Sequence, residues 1–410
     1  MANVFADRVV VSIDVGTTKI CVLVAQVLDK NHLEIVGVGK APSDGLKKGV
    51  VVDIQKTVSS IKTAIKEAEL MANVTINTAA IGISGGHIQS TNSHGMVAIK
   101  HGQVSPTDIT NLMNAARAIA VPEGMQILHV LPQFFIIDSR EKVQNPVSMH
   151  GIRLEVQAHV IMGAIASVQN LIKCCQMAGV KVTDIILEQL ASADAVLSDD
   201  EREIGVAMLD IGGGTSDLAL YQNGNIRHTF VLPVAGNHFT NDLAVGLRTT
   251  IKEAERIKKE YGIASFDLLE HNHVLEIQSV QGSETQLIHV ADIAHILQPR
   301  AHELLSLVHD EIIKHKLQSM MPAGLVITGG GALLAGMKEI AQDIFNVPVR
   351  IGMLQMTHDL PESLESPIYA TGYGLLKQVI KQQNNALDTL SGPAVARIFI
   401  RMKSWVMDFF

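Results

Sequence analysis

Aromatic side chains are scarce in this sequence, at 4% of 410 residues, and tryptophan occurs once. Hydrophobic residues nevertheless make up 47%, so the cores must be built of Val, Ile, Leu and Ala. Cysteine is equally scarce. Cys21, Cys174 and Cys175 are the whole set, which excludes a disulfide framework and suits a reducing compartment. The vicinal pair falls in a helical pattern and reads as packing. No Cys/His spacing for structural zinc is present, and no H-E-x-x-H; His271-Asn-His273 is an isolated pair. Ser84 lacks the G-x-S-x-G context of a hydrolase elbow. Neither a Walker A loop nor a G-x-G-x-x-G after a strand occurs. No signal-peptide pattern opens the chain, and no run approaches the ~18 apolar residues of a spanning helix. The expectation is a soluble or peripheral protein. A net charge of −8 argues against a general nucleic-acid binder, whose surface is usually basic. The length suggests two to four domains.

What is present is organised around Val206–Tyr221. Two apolar runs flank Asp210, Gly212, Gly213, Gly214, Thr215, Ser216 and Asp217. Apolar runs bounded by glycine read as buried strands, so the centre is a hairpin turn. A turn without side chains exposes N–H groups to an anion, and a carboxylate at the strand end can hold a hydrated divalent cation beside phosphate. A plain polar hairpin explains this stretch equally well when it is taken alone. The same order recurs at Val10–Val24, with Asp14, Gly16, Thr17, Thr18 and Lys19 between apolar runs. The two copies lie about half the chain apart. That suggests two similar halves facing each other, with a hairpin from each able to clamp one nucleotide.

Elsewhere the periodicity predicts a helix over 55–72, a strand over 78–84, a strand and helix over 160–178, a strand over 180–186 and a small-residue helix over 188–197. Residues 199–203 read as a charged turn. From about 85 to 160 the segments are short and alternating around a helix at 106–120, which reads as an inserted α+β unit. Helices are predicted over 237–261 and 291–317, with short strands between them. Gly324–Met337 reads as a strand, then Gly329, Gly330 and Gly331, then a helix whose first N–H groups favour a phosphate. A second small-residue helix covers 367–380.

After a polar stretch at 382–393, the terminal segment changes character. At helical spacing Val395, Ile398, Phe399, Met402, Trp405, Val406, Phe409 and Phe410 share one face, with Arg397, Arg401, Ser404 and Asp408 opposite. This composition fits a helix lying in a membrane interface. Each basic residue adds ~1 kcal/mol on an anionic surface.

The ordered motifs Asp14–Lys19, Glu188–Leu197, Asp210–Asp217, Gly329–Ala332 and Ala370–Gly374 resemble phosphate 1, connect 1, phosphate 2, adenosine and connect 2 of the actin-like ATPase superfamily. With the insertion after Ser84 and the basic amphipathic terminus, the whole chain resembles the FtsA family of bacterial cell-division proteins. The resemblance implies an α/β fold of actin-like type: two ribonuclease H-like halves around a nucleotide cleft, an inserted α+β subdomain and a C-terminal amphipathic helix. It assigns 1–84 and 161–197 to subdomain 1A, 85–160 to 1C, 198–231 and 301–381 to 2A, and 232–300 to 2B. A linker at 382–393 and a membrane-targeting helix at 394–410 follow.

The resemblance also implies ATP and Mg²⁺ as ligands. Asp14 and Asp210 would act on the metal through water. Gly16, Thr17, Thr18, Lys19 and Gly212, Gly213, Gly214 and Thr215 would hold phosphates. Gly236, Glu255 and Lys258 would reach the adenosine, backed by Gly329, Gly330 and Gly331. Glu188, with Asp210, is the candidate for a catalytic role. The implied partners are the C-terminal peptide of the tubulin-like FtsZ on 2B, with Arg300 as a contact; further copies of the chain in a polymer; later division proteins through 1C; and anionic lipids at the inner face of the cytoplasmic membrane. A pilus-assembly adaptor and a small-molecule kinase on the same fold are the alternatives. A chaperone of the DnaK type would need a peptide-binding domain after the core.

Overall fold

The first apolar runs form a hairpin: β1 (Val9–Val15) and β2 (Lys19–Val27) pair antiparallel, and every β1 side chain after Val9 is buried. The computed structural model describes residues 8–29, 32–140, 142–269, 271–280, 285–354 and 364–390, with side chains as far as Gln383. β3 (Leu33–Pro42) extends the meander, and a short ribbon of β4 (Leu46–Lys47) and β5 (Val50–Val51) leads into α1 (Ile54–Ala72). Asp53 caps α1 by accepting from the Lys56 N–H at 3.1 Å, satisfying one of the free donors of the first turn. α1 lies directly on β3, because a Cβ on Gly39 would overlap the Ala64 carbonyl. β6 (Thr78–Ile83) joins parallel to β1.

The insertion follows. β7 (Gln89–Ala98), α2 (Pro106–Arg117), β8 (Met125–Ile137), β9 (Lys142–Val143) and β10 (Arg153–Ala164) give a sheet ordered β7-β10-β8-β9 with one helix. Pro106 at the first helical position and a Ser105–Asp108 capping box start α2, both ordinary N-terminal signals. Leu112, Leu154, Val156 and Ala158 anchor a core separate from those of the two halves. β10 passes straight into α3 (Ile165–Met177), so no linker separates the insertion from the helix. β11 (Lys181–Leu187) completes the first sheet, ordered β11-β6-β1-β2-β3. α4 (Glu188–Val196) begins at its end. Residues 199–203, expected as a turn, fall in the short helix α5 (Asp199–Ile204), because Ser198 and Glu201 supply a capping box.

The second half repeats this plan. β12 (Val206–Ile211), β13 (Ser216–Gln222) and β14 (Asn225–Leu232) form the meander. α6 (Gly236–Gly246), α7 (Ile251–Tyr261), β15 (Val274–Gln278), β16 (Thr285–His289) and α8 (Val290–Lys314) follow. β17 (Leu325–Thr328), α9 (Met337–Phe345), β18 (Val349–Ile351) and α10 (Ala370–Leu390) close the described chain. The sheet order β14-β13-β12-β17-β18 matches the first sheet strand for strand, with two antiparallel and two parallel pairings in each.

Three further sequence expectations are corrected. The helix predicted over 237–261 is two helices, broken where Arg248 takes a left-handed φ of 51°. The triple glycine starts a 3-10 turn at Gly330–Leu333, and α9 begins only at Met337. α10 runs to Leu390, through much of the stretch read as a linker. The terminal residues Val395, Arg397, Ile398, Phe399, Arg401, Met402, Trp405, Val406 and Phe409 lie outside the described residues. Among the described residues no helix is long and apolar enough to cross a membrane.

Two features connect the halves. α4 and α10 cross in backbone contact: a Cβ on Gly374 would overlap the Ala191 carbonyl. Ser12 of β1 donates to the Gly372 carbonyl at 2.8 Å, fixing α10 on the first sheet. The insertion makes the second connection, for it rests on the outer edge of β14. Ser90 donates to the Thr229 carbonyl at 2.9 Å, and the Gln133 amide to the Arg227 carbonyl at 3.0 Å. An edge strand with unpaired backbone groups is thereby covered.

Candidate functional site

The two Gly-rich turns meet tip to tip between the halves. A Cβ on Gly213 would run into Thr18, and one on Gly214 into Thr17. Each turn closes on itself, with Gly16 N–H donating to the Lys19 carbonyl at 3.0 Å and Gly212 N–H to the Thr215 carbonyl at 2.9 Å. The Gly212 and Gly213 carbonyls accept from the Gly236 and Asn237 N–H groups at 3.0 and 2.8 Å. α6 therefore starts against the second turn, with its positive end beside the cleft. Thr17 Oγ1 accepts from the Gly49 N–H at 3.0 Å, so its hydroxyl is already positioned.

Below the turns lie three buried carboxyl groups, a fourth that is partly buried, and the cation of Lys19. Asp14 is the penultimate residue of β1, Asp210 that of β12, Asp217 is the second residue of β13 and Glu188 opens α4. Lys19 Nζ stands 3.6 Å from Asp14 Oδ2, donates to the Ile368 carbonyl and lies over the Tyr369 ring. Burial raises the Asp14 pKa, and Lys19 only partly opposes it. Burial works against the Lys19 charge too, but Asp14 and other neighbours outweigh it and raise its pKa. Burial also raises Asp210, against the hydrogen bond from Ser192. Asp217 is pushed up to about 7 by burial, against its bond from Ser84. Glu188 is raised well above the ordinary carboxylate range, by burial first and then by the charges of Asp14, Asp217 and Asp210. Its side chain lies against Gly82 of β6. Burial and like charge both disfavour the ionised form of a carboxyl group so placed.

Asp210 is tied to both crossing helices. Its Oδ2 accepts from Ser192 Oγ of α4 at 2.5 Å and from Thr371 Oγ1 of α10 at 3.2 Å. Ser84, at the end of β6, donates to Asp217 Oδ1 at 2.6 Å across the cleft. Sequence reasoning gave no role to Ser84, Ser192, Asp217 or Thr371. Asp217, Ser192 and Thr371 each lie inside a recognised motif, whereas Ser84 carried no signal.

The third side of the cleft is also assembled. Lys258 Nζ reaches Glu255 Oε2 at 2.7 Å, Thr240 Oγ1 at 2.8 Å and the Gly236 carbonyl at 3.1 Å. Gly329 sits at φ 79°, and a Cβ there would overlap the Asp210 carboxylate. A Cβ on Gly330 would meet only the Ile368 methyl at 3.6 Å, so its outer face is open. The structure thus brings Asp14, Gly16–Lys19, Gly212–Thr215, Gly236, Glu255, Lys258 and Gly329–Gly331 together. Arg300 lies apart, on α8. Its guanidinium forks onto Asp242 Oδ2 and Oδ1 at 2.6 and 3.1 Å and also meets Glu303.

These residues suit a metal–nucleotide pair. Crowded buried carboxyl groups with raised pKa values favour a divalent cation, and oxygen donors are the set magnesium takes. The open face over Gly330 has room for a planar group.

Two halves of identical strand order, joined by crossing helices and facing each other through Gly-rich hairpins, define a protein of actin-like fold. Solved structures of that fold agree. A PilM–PilN type IV pilus biogenesis complex chain matches with a TM-score of 0.65 at 16% identity, over 91% of this chain and 98% of that one. MreB5 of Spiroplasma citri bound to ADP matches at 0.55 and 18% identity, over 92% and 99%. The chain belongs to the FtsA family of cell-division proteins. The family model described as "Cell division protein FtsA" matches 207–374, and the "SHS2 domain inserted in FTSA" matches 85–162. The Cell division protein FtsA of Pseudomonas aeruginosa is 42% identical over all of both chains. That of Escherichia coli K12 is 38% identical over 90% of each.

Proposed function

We propose that this chain is an ATP-binding cell-division protein that polymerises at the inner face of the cytoplasmic membrane and tethers FtsZ there. The observation that carries the nucleotide reading is the meeting of Gly213–Gly214 with Thr17–Thr18 above the paired carboxylates of Asp14 and Asp210. In this reading Gly16–Lys19 and Gly212–Thr215 hold the phosphates from both sides. Gly236, Glu255 and Lys258 contact the adenosine edge, and Gly329–Gly331 lie against the base. Asp14 and Asp210 would hold Mg²⁺ through water. The cation, when bound, supplies positive charge to the phosphates. MreB5 of Spiroplasma citri, solved with ADP and with AMPPNP, shares the fold. ATP serves chiefly as a ligand that closes the halves and favours polymers, with slow turnover.

The remaining assignments rest on family membership. FtsZ's C-terminal peptide docks on 2B, where a groove of about 350 Å³ is lined by Phe266, His295, Gln298, Pro299 and, just past the 2B boundary, His302; Arg300 follows Pro299 on α8 but does not line the groove. Later division proteins are recruited through the inserted subdomain. The segment 394–410 lies in the membrane interface. Many tails held on one polymer bind more tightly than one, by effective concentration.

Sedimentation with anionic vesicles, with and without ATP, tests this reading. The intact chain should pellet with lipid, more so with ATP. A chain ending at Gln383 should stay soluble yet bind ATP, and Asp210→Ala should lose the ATP effect. If the truncated chain still pellets with lipid, the anchor lies elsewhere. If lipid, ATP and assembly prove independent, the coupling is wrong.

A further inference from the structure

We propose that His228, Glu311 and His315 form a binding site for a redox-inert divalent transition cation of the zinc class. None of the three belongs to the nucleotide cleft. His228 stands on β14; Glu311 is in the last turns of α8, and His315 follows at its end. Glu311 Oε1 lies 3.3 Å from His228 Nε2 and 3.0 Å from His315 Nε2. All three ligand atoms fall within 4.8 Å of one another. Metal–ligand bonds of ~2.0–2.1 Å at a tetrahedral centre place neighbouring ligand atoms about 3.3 Å apart. The two measured separations sit at that edge length. Lys314 Nζ lies 3.3 Å from the other carboxylate oxygen, Oε2, and leaves Oε1 to the imidazoles. The His228 and Glu311 side chains are 13% and 11% exposed, and His315 is 42% exposed. The open side gives entry from solvent and a fourth position for water.

Donor chemistry selects the ion. Two imidazoles and one carboxylate suit zinc, whereas magnesium and calcium prefer all-oxygen shells. The neighbouring His159 is not a ligand. Its ring is centred 6.4 Å from that of His228, and its nitrogens meet Asn92 Oδ1 and Thr229 Oγ1. Thr229 lies on the same strand that carries the inserted subdomain. A cation here would staple the end of α8 to β14 beneath the insertion.

The test is titration of the untagged full chain with Co²⁺ and then Zn²⁺, following the ligand-field absorption of Co²⁺ and the thermal midpoint. One equivalent should bind, raise the midpoint and resist a large excess of Mg²⁺. His228→Gln and His315→Gln should each weaken uptake at least about tenfold. Asp14→Asn with Asp210→Asn should leave it intact. Absence of a Co²⁺ band, or uptake unchanged in both histidine variants, overturns the proposal. So does uptake that vanishes with the cleft carboxylates, for the cation would then sit among them.

Discussion

Ser84 donates its hydroxyl hydrogen to Asp217 Oδ1 at 2.6 Å, joining the end of β6 in one half to the start of β13 in the other. The bond lies beside the carboxyl groups of Asp14, Glu188 and Asp210, whose charges act on Asp217 or are acted on by it. With Asp217 pushed up to about 7, the folded chain holds a proton that the unfolded chain, near pKa 3.9, has released. The stability from this proton is fully present below pH ~4 and is lost as pH rises through about 7. Asp14, Asp210 and Glu188 shift in the same direction. The nucleotide-free chain should therefore melt at a lower temperature at pH 8 than at pH 5. Asp217→Asn keeps an acceptor for Ser84 without titrating, and should shrink the pH-dependent loss by on the order of 2 kcal/mol. An unchanged slope in that variant removes Asp217 from the account.

The contact between the two turns predicts a suppressor pair. Gly213→Ala should destabilise the chain by about 1–3 kcal/mol, as overpacking commonly does, because the new methyl meets Thr18. Thr18→Ala removes most of the obstructing atoms. Denaturant unfolding of the double variant should recover part of the loss. Additive losses would mean the turns do not meet in solution.

Asp210 draws on both connecting helices through Ser192 and Thr371. Ser192→Ala leaves a buried carboxyl group short of one donor, which typically costs ~1–3 kcal/mol. ATP affinity with Mg²⁺ should fall together with stability, since the carboxylate assigned to the metal shell loses its orientation. Calorimetric titration showing wild-type affinity would separate Asp210 from nucleotide binding.

Arg300 is engaged by Asp242 in a two-pronged ion pair. Should it grip the FtsZ peptide, it must share or leave this pair. Asp242→Asn should then strengthen peptide binding and Arg300→Ala weaken it, each by several-fold in fluorescence anisotropy. Equal affinity across wild type and both variants places the peptide elsewhere on 2B.

Trp405 is the single tryptophan and reports on the terminal segment without labelling. Its emission should shift to the blue on adding anionic vesicles, and the shift should shrink as salt screens the basic face. A spectrum indifferent to lipid would place that segment away from the bilayer.

The hairpins were legible because each strand is a continuous apolar run and each turn is glycine-rich, both purely local signals. The small residues of α4 and α10 likewise announced close packing, which Gly374 against Ala191 realises. Pairings between residues far apart in the chain were not legible. Ser84 and Asp217 are separated by 133 positions and Thr371 and Asp210 by 161; the local motifs mark both aspartates but carry no sign of which hydroxyl each one meets. The break at Arg248 was hidden because the apolar spacing continues on both sides of it. The length of α10 was missed because 382–390 is polar, and polarity signals exposure rather than the absence of a helix.

The inserted subdomain belongs to one half by covalent connection and to the other by hydrogen bonding, through Ser90 and Gln133 to β14. Its entry follows β6 of the first sheet, and its exit runs through β10 into α3. Any change in the angle between the halves must therefore be absorbed by the insertion itself or by its bonds to β14.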